Sequence, residues 1–216
     1  DPAVWKMALA TNGGSVAAAL DALEHGVSGS LSSGLHHSRR RCGSAFCTFN
    51  GLVLAAKAGL QAGAKSVLIL DLDAHCGGGT ADLIKEEVGI SQIDVSVSSL
   101  DSYTSTPTTY LTMATGKNYL ATIGYLLSKA GRFDLAIYNA GMDPYEGCFI
   151  GGEDKITRQV LADREKMVFE WAKVRKMPIA FVLAGGYVGQ DLSRGQLVRL
   201  HRLTIEAAAS IGGMAK

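Results

Sequence analysis

In SVLILDLDAHCGGGT, residues 66–80, three ligand-type side chains follow a run of branched apolar residues. Residues 66–71 read as a strand covered on both faces, and Asp71, Asp73 and His75 recur at every second position where that strand should leave the sheet. Side chains at that spacing share one face. Two carboxylates and an imidazole converging there would be costly unless a cation or a hydrogen-bond network compensated them. Oxygen and imidazole donors suit zinc and other divalent ions. Alone, however, an Asp-x-Asp at a strand end also serves as a helix cap, and a lone His as a hydrogen-bonded structural residue. Further ligands and catalytic partners must come from elsewhere in the chain.

Three other segments supply them. GLHHS places His36 and His37 after a glycine, in a loop where adjacent side chains can turn toward one pocket. Asp143 lies just beyond the apolar run DLAIYN at 134–139 and gives a third ligand; Tyr187 follows PIAFVLAGG, where two glycines allow it close to the same crevice. Two carboxylates and one imidazole leave a divalent ion open positions for water and a substrate oxygen. Such an ion lowers the pKa of bound water from about 15.7 toward about 7 and polarises a carbonyl. One histidine can then take the water's proton, the other can protonate a leaving amine, and a tyrosine hydroxyl can stabilise the oxyanion. Those are the parts for amide hydrolysis.

The elements that must position these residues alternate. An amphipathic helix is predicted over 11–25, with Asn12 or Ser15 as its cap, followed by a short strand within 26–33. A helix over 50–62 precedes the central strand; a short helix at 80–87, a strand at 93–97 and a polar loop at 98–110 follow it. Helices are predicted over 111–130, 153–175 and 191–209, with strands at 134–139 and 178–183. This alternation predicts a three-layer α/β/α fold with a doubly wound, mostly parallel sheet, and the site at the carboxyl ends of its strands.

The 216 residues fit one domain, 1–216, with a continuous core. The net charge is +1, and the only basic run, Arg39-Arg40-Arg41, reads as a solvated loop or at most a patch for an acidic neighbour, which gives no case for nucleic acid or membrane. Four cysteines without CxxC spacing suggest neither zinc ribbon nor disulfide scaffold, and a reducing cytoplasm is the simplest setting. No secretory signal and no bilayer-spanning apolar run is found. The sequence opens at Asp1 without Met, as a fragment would.

Taken in order, five blocks resemble the zinc-dependent histone deacetylase superfamily, with its arginase-deacetylase fold. GLHHS resembles the paired-histidine motif, AFCTFN the Gly-Phe-Cys block, DLDAHCGGGT the Asp-x-Asp-x-His metal motif, and AGMDP and LAGGY the third-ligand and tyrosine motifs. The resemblance spans about residues 11–209 and implies a zinc deacetylase acting on an acylated amine such as acetyl-lysine or an acetylpolyamine. It implies Asp73, His75 and Asp143 as zinc ligands, His36 and His37 as the acid-base pair, and Tyr187 as oxyanion donor. It further implies Asp71 as the partner orienting His36, Phe46 as a wall of the acyl-lysine channel, and a structural monovalent cation near Asp71, Asp73, the His75 backbone and Ser96.

Departures from that pattern are specific. Cys76 stands where a second His or Gln is usual, and Ala45 where the Gly-Phe-Cys block has glycine. Gly78 stands where an Asn or Asp orients the second histidine, so the ring of His37 must be held less firmly or by another group. Tyr103 is the candidate for the opposite aromatic wall. The family's N-terminal segment has no counterpart, which implies a more open pocket or an incomplete chain, and an exposed edge that would encourage pairing with another copy. An arginase-type ureohydrolase would need extra carboxylates where Asn139 and Gly141 stand, and a dinucleotide site fails at Asp82. A deacetylase-like binder without turnover is the non-enzymatic alternative.

Overall fold

The computed structural model describes residues 2–212. Among these, helix α1 (Pro2–His25) leads into β1 (Val27–Ser30), and α2 (Gly51–Gln61) into β2 (Val67–Asp71). Then follow α3 (Gly78–Ile84), β3 (Ile90–Ser96), β4 (Thr109–Met113), α4 (Tyr119–Lys129), β5 (Leu135–Gly141), α5 (Arg158–Arg175), β6 (Ile179–Ala184) and α6 (Arg194–Ile211). All six strands run parallel in the order β1-β6-β5-β2-β3-β4.

Burial on both faces explains why the central strands are unbroken apolar runs. Every residue of β2 and β5 is buried. On one face Leu52, Ala55 and Ala56 of α2 join Ala18, Ala19 and Ala22 of α1 over Val67, Ile69 and Ile137. On the other, Ile123 and Leu127 of α4, Phe169 of α5 and Leu200 of α6 pack on Leu68, Leu70 and Tyr138. From β2 the chain winds outward to β3 and β4; from β5 it winds the other way to β6. The direction therefore reverses between β2 and β5, and a crevice opens at the carboxyl ends of those two strands.

Three local expectations change. Helix α1 begins at Pro2, and Asn12 and Ser15, expected as caps, lie buried within it. Each side chain donates one turn back, Asn12 Nδ2 to Ala8 O at 2.7 Å and Ser15 Oγ to Thr11 O at 3.4 Å. Residues 109–113, divided above between a loop and a helix, form edge strand β4, paired along β3 from Gln92↔Thr109 to Ser96↔Met113. Its Thr-Tyr-Leu-Thr composition favours a pleated edge over a helix start. Asn118 Oδ1 then accepts from Thr115 N at 2.8 Å, and α4 starts at Tyr119.

Candidate active site

The strand β2 ends at Asp71, so alternation alone does not bring Asp73 and His75 together. A tight turn does. His75 N donates to Asp73 Oδ1 at 3.0 Å, and Ala74 N donates to Asp143 Oδ1 at 3.0 Å across from the end of β5. The turn is anchored from below. Leu72 O accepts from Arg164 Nη1 at 3.1 Å and from the Tyr119 hydroxyl at 3.3 Å. Arg164 is fully buried and pairs with Glu165. In the sequence this stretch of α5 reads only as a charged helix, and that one of its arginines holds the metal-motif turn emerges from the fold.

Ligand-type atoms of Asp73, His75 and Asp143 lie within 4.8 Å of one another, and all three residues are buried. His75 Nδ1 sits 3.1 Å from Asp73 Oδ1 and 3.0 Å from Asp143 Oδ2. The second approach lacks hydrogen-bond geometry, and Asp143 Oδ2 is a buried oxygen without a hydrogen-bond partner. Burial and the neighbouring Asp73 charge push the Asp143 carboxyl up to about 7. For His75, burial is outweighed by Asp143 and Asp73, which raise it to about 9. For Asp73, burial is outweighed by His36 and by hydrogen bonds from His75, so it stays well below the usual carboxylate range. An orphaned carboxylate oxygen beside a second carboxylate and an imidazole fits a divalent cation, and an N,O,O donor set suits zinc.

On the other wall stand the two histidines. Asn50 both caps α2, accepting from Val53 N at 3.1 Å, and ties their loop, its Nδ2 donating to His36 O at 3.2 Å and Thr80 Oγ1 at 3.0 Å. His36 Nδ1 lies 2.8 Å from Asp71 Oδ2, and Asn139 Nδ2 donates to Asp71 Oδ1 at 2.8 Å. Asn139, directly across from Asp71 in the ladder, completes an arrangement that the sequence reading overlooked; a lone polar residue in an all-buried strand was its signal. Burial disfavours a charged His36, but Asp71 and Asp73 outweigh it and hold its pKa well above the ordinary value. The two Nε2 atoms of His36 and His37 face each other at 3.1 Å. His37 Nδ1 lies 2.9 Å from Asp101 Oδ2, a partner absent from the sequence reading.

Tyr187 closes the third side, its ring 6.5 Å from that of His75. Gly185 makes this approach possible: its φ is +56°, and a Cβ there would lie 2.2 Å from Asp143 Oδ1. Burial and the charges of Asp143 and Asp73 raise the Tyr187 pKa, so the phenol keeps its proton. Phe46 stands 6.4 Å from Tyr187, 84% exposed. Phe49, the other aromatic of that loop, turns away to pack edge-on against Trp5 at 5.9 Å. Tyr103, expected as the opposite wall, points inward instead. Its hydroxyl is buried without a well-formed hydrogen bond, and burial with the nearby Asp94 and Asp71 charges raises its pKa. Near the expected monovalent-cation position, both Asp71 oxygens take protein donors and Ser96 Oγ donates to Asp94 Oδ1 at 2.5 Å.

Arg39 is no free surface cation either: it pairs with Asp101 and donates to Gly78 O at 3.1 Å. Arg40 and Arg41 are exposed.

Fold and site together define a parallel α/β protein with a buried Asp-His-Asp cluster facing a carboxylate-backed histidine pair. Residues 1–125 match the histone deacetylase domain family, and the chain belongs to that family. It is 30% identical over 217 residues to an uncharacterized protein of Picosynechococcus sp., covering 96% of this chain and 71% of that one. It is 28% identical over 187 residues to histone deacetylase 2 of Arabidopsis thaliana, covering 82% of this chain and 48% of that one. In fold it is similar to the crystal structure of acetylpolyamine aminohydrolase from Burkholderia pseudomallei, with a TM-score of 0.74 at 18% identity, covering 97% of this chain and 64% of that one. The chain thus spans between about half and seven-tenths of these proteins. Among the described residues no helix is long and apolar enough to cross a membrane.

Proposed function

We propose that this chain carries a zinc-dependent deacetylase site that hydrolyses the amide of an acetylated or otherwise acylated amine, such as acetyl-lysine or an acetylpolyamine. The observation that carries this reading is the meeting of Asp73, His75 and Asp143 with the His36–His37 pair and Tyr187 in one crevice. Asp73, His75 and Asp143 would hold the ion. Bound there, zinc supplies a Lewis acid for the amide carbonyl and acidifies water.

The chain's own residues supply the proton transfers. His36, kept charged by Asp71 and Asp73, donates through Nε2 and stabilises negative charge. His37 is the base toward water at Nε2, and His36 the electrostatic partner and the acid toward the leaving amine. The Tyr187 hydroxyl donates to the developing oxyanion. Phe46 lines the path of the acyl chain. The four cysteines are free, which supports a reducing compartment such as the cytoplasm.

The test is turnover of a fluorogenic acetyl-lysine peptide and of an N-acetylated diamine by metal-stripped protein given zinc, beside an Asp143→Ala control. Zinc-restored hydrolysis that the control lacks is the expected result. Stoichiometric zinc with neither substrate cleaved would overturn the enzymatic reading in favour of a deacetylase-like binder.

A further inference from the structure

The turn that carries the metal motif offers His37 no side chain. Position 78, where the family resemblance places an Asn or Asp, is glycine, yet the space beside it is filled. A Cβ on Gly78 would lie 2.2 Å from Asp101 O and 2.7 Å from Asp101 Oδ1. Asp101 comes from the loop between β3 and β4, far along the chain. It takes a φ of +61°, uncommon for any residue but glycine. Such a conformation persists only where its surroundings fix it. Here they do: one carboxylate oxygen, Oδ2, meets His37 Nδ1 at 2.9 Å and Gly79 N at 3.1 Å, and the other is paired with Arg39. Arg39 also holds Gly78 O, so one guanidinium ties the donor loop to the turn that lacks the side chain.

We propose that Asp101 is the positioning residue for His37, delivering from the β3–β4 loop the carboxylate that Gly78 cannot supply. This inference rests on the reaction proposed above and specifies how its base is held. The Asp101 carboxyl is kept ionised: burial works against that, but His37 and Arg39 outweigh it. An ionised carboxylate only accepts, so Nδ1 of His37 carries the hydrogen and Nε2 carries the lone pair. Nε2 is the atom facing His36. Asp101 therefore selects the tautomer in which the crevice-facing nitrogen is basic, and fixes the ring's rotation. The bland alternative is that Asp101 only latches its loop onto Gly79 N and Arg39.

The two roles separate in one experiment on the full chain loaded with zinc, comparing wild type, Asp101→Ala and Asp101→Asn. Nitrogen-15 spectra of histidine-labelled protein should show His37 protonated at Nδ1 in wild type and in Asp101→Asn, whose amide oxygen still accepts, and a mixture of tautomers in Asp101→Ala. Turnover of the acetylated substrates should fall roughly 10–100-fold in kcat for Asp101→Ala, the range for removing a group that orients a metal-site residue, with KM and zinc content unchanged and Asp101→Asn retaining most of the rate. A wild-type tautomer and wild-type kcat in Asp101→Ala, with only a lower melting temperature, would overturn the proposal and leave the latch. The spectrum decides the point even if no substrate is turned over, so failure of the enzymatic reading is told apart from failure of this one. Should Asp101→Ala not fold, Asp101→Ser, which keeps a polar loop but is too short to reach Nδ1, replaces it with the same expectations.

Discussion

The two histidines of the crevice are each backed at Nδ1 by a carboxylate at nearly the same distance, 2.8 Å for Asp71 on His36 and 2.9 Å for Asp101 on His37. The regions that supply these carboxylates differ. Asp71 is the last residue of a central strand, wholly buried, with Asn139 on its other oxygen. Asp101 sits in a loop at positive φ, beside an Arg39 whose side chain is 35% exposed. One partner is part of the sheet and the other is added to it. A histidine needs its orienting charge at the right point in space, and the chain position that supplies it is free to change. The sheet fixes the first pair through its ladder; the loop can trade residues, as Gly78 and Asp101 do.

The largest effect that would test this difference is at Asp71. Asp71→Ala leaves a charged, buried His36 without its carboxylate, so kcat should drop about 10²–10⁴-fold, as when an acid-base group is lost. Stability should fall by about 3–5 kcal/mol, the cost of breaking a buried charge pair from one side. Kinetics beside urea melts checks both. Equal small losses for Asp71→Ala and Asp101→Ala would mean that the two regions are interchangeable. Next comes Arg39→Met, which removes one of the three groups holding Asp101. A roughly tenfold loss in kcat is expected, the low end for a group acting through another. The melting temperature should barely move, because the pair is partly solvated and such pairs contribute about 0–1 kcal/mol. Unchanged kcat would show that Gly79 N and His37 suffice to hold the carboxylate.

The same division governs what could be read from the sequence. Apolar runs at 66–71, 134–139 and 178–183 marked the strands, and the candidate ligands Asp73, His75 and Asp143, with Tyr187, lie just beyond their ends. His36 reaches the same crevice from a loop, and Asp73 and His75 converge through a turn and not by strand alternation. Two other contributions were hidden because nothing local announces them. Asp101 lies in SSLDSY, a polar loop by composition, and only the missing side chain at Gly78 signalled that a substitute was needed. Arg164 sits in a charged helical stretch, on the face it shares with Leu161 and Val168; that it reaches Leu72 O depends on α5 packing over the turn. Tyr103 failed as a channel wall for a related reason. Its loop feeds β4 into the sheet, and the ring follows the chain inward.

At the rim, Phe46→Ala should sharpen the contrast by changing binding without chemistry. Loss of the ring should raise KM about tenfold for acetyl-lysine peptide, equivalent to ~1.4 kcal/mol of apolar contact, while kcat stays within about twofold. A fall in kcat at constant KM would instead place Phe46 in the ordering of Tyr187, its neighbour at 6.4 Å.

The smallest effect lies beneath the floor, at Asp94, which stands across the ladder from Asp71 and is wholly buried. Gly77 N donates to its Oδ2 at 2.7 Å and Ser96 Oγ to its Oδ1 at 2.5 Å, yet burial and the Asp71 charge push its carboxyl up to about 8. Unfolded, the same carboxyl titrates near ~3.9. Between about pH 4 and pH 8 the folded chain thus binds a proton that the unfolded chain has released, so this group makes stability fall as pH rises through that window and level off above it. Asp94→Asn keeps an acceptor for Gly77 N and removes the titration. The variant should melt above wild type at pH 9, by ~2–4 °C for each kcal/mol gained in a domain of this size, with the gain shrinking to nothing near pH 4. Melting curves at pH 4.5, 7 and 9 decide it. A gain that grew toward acid would mean that Asp94 is ionised in the folded chain and that its hydrogen bonds from Gly77 N and Ser96 Oγ outweigh burial and the Asp71 charge.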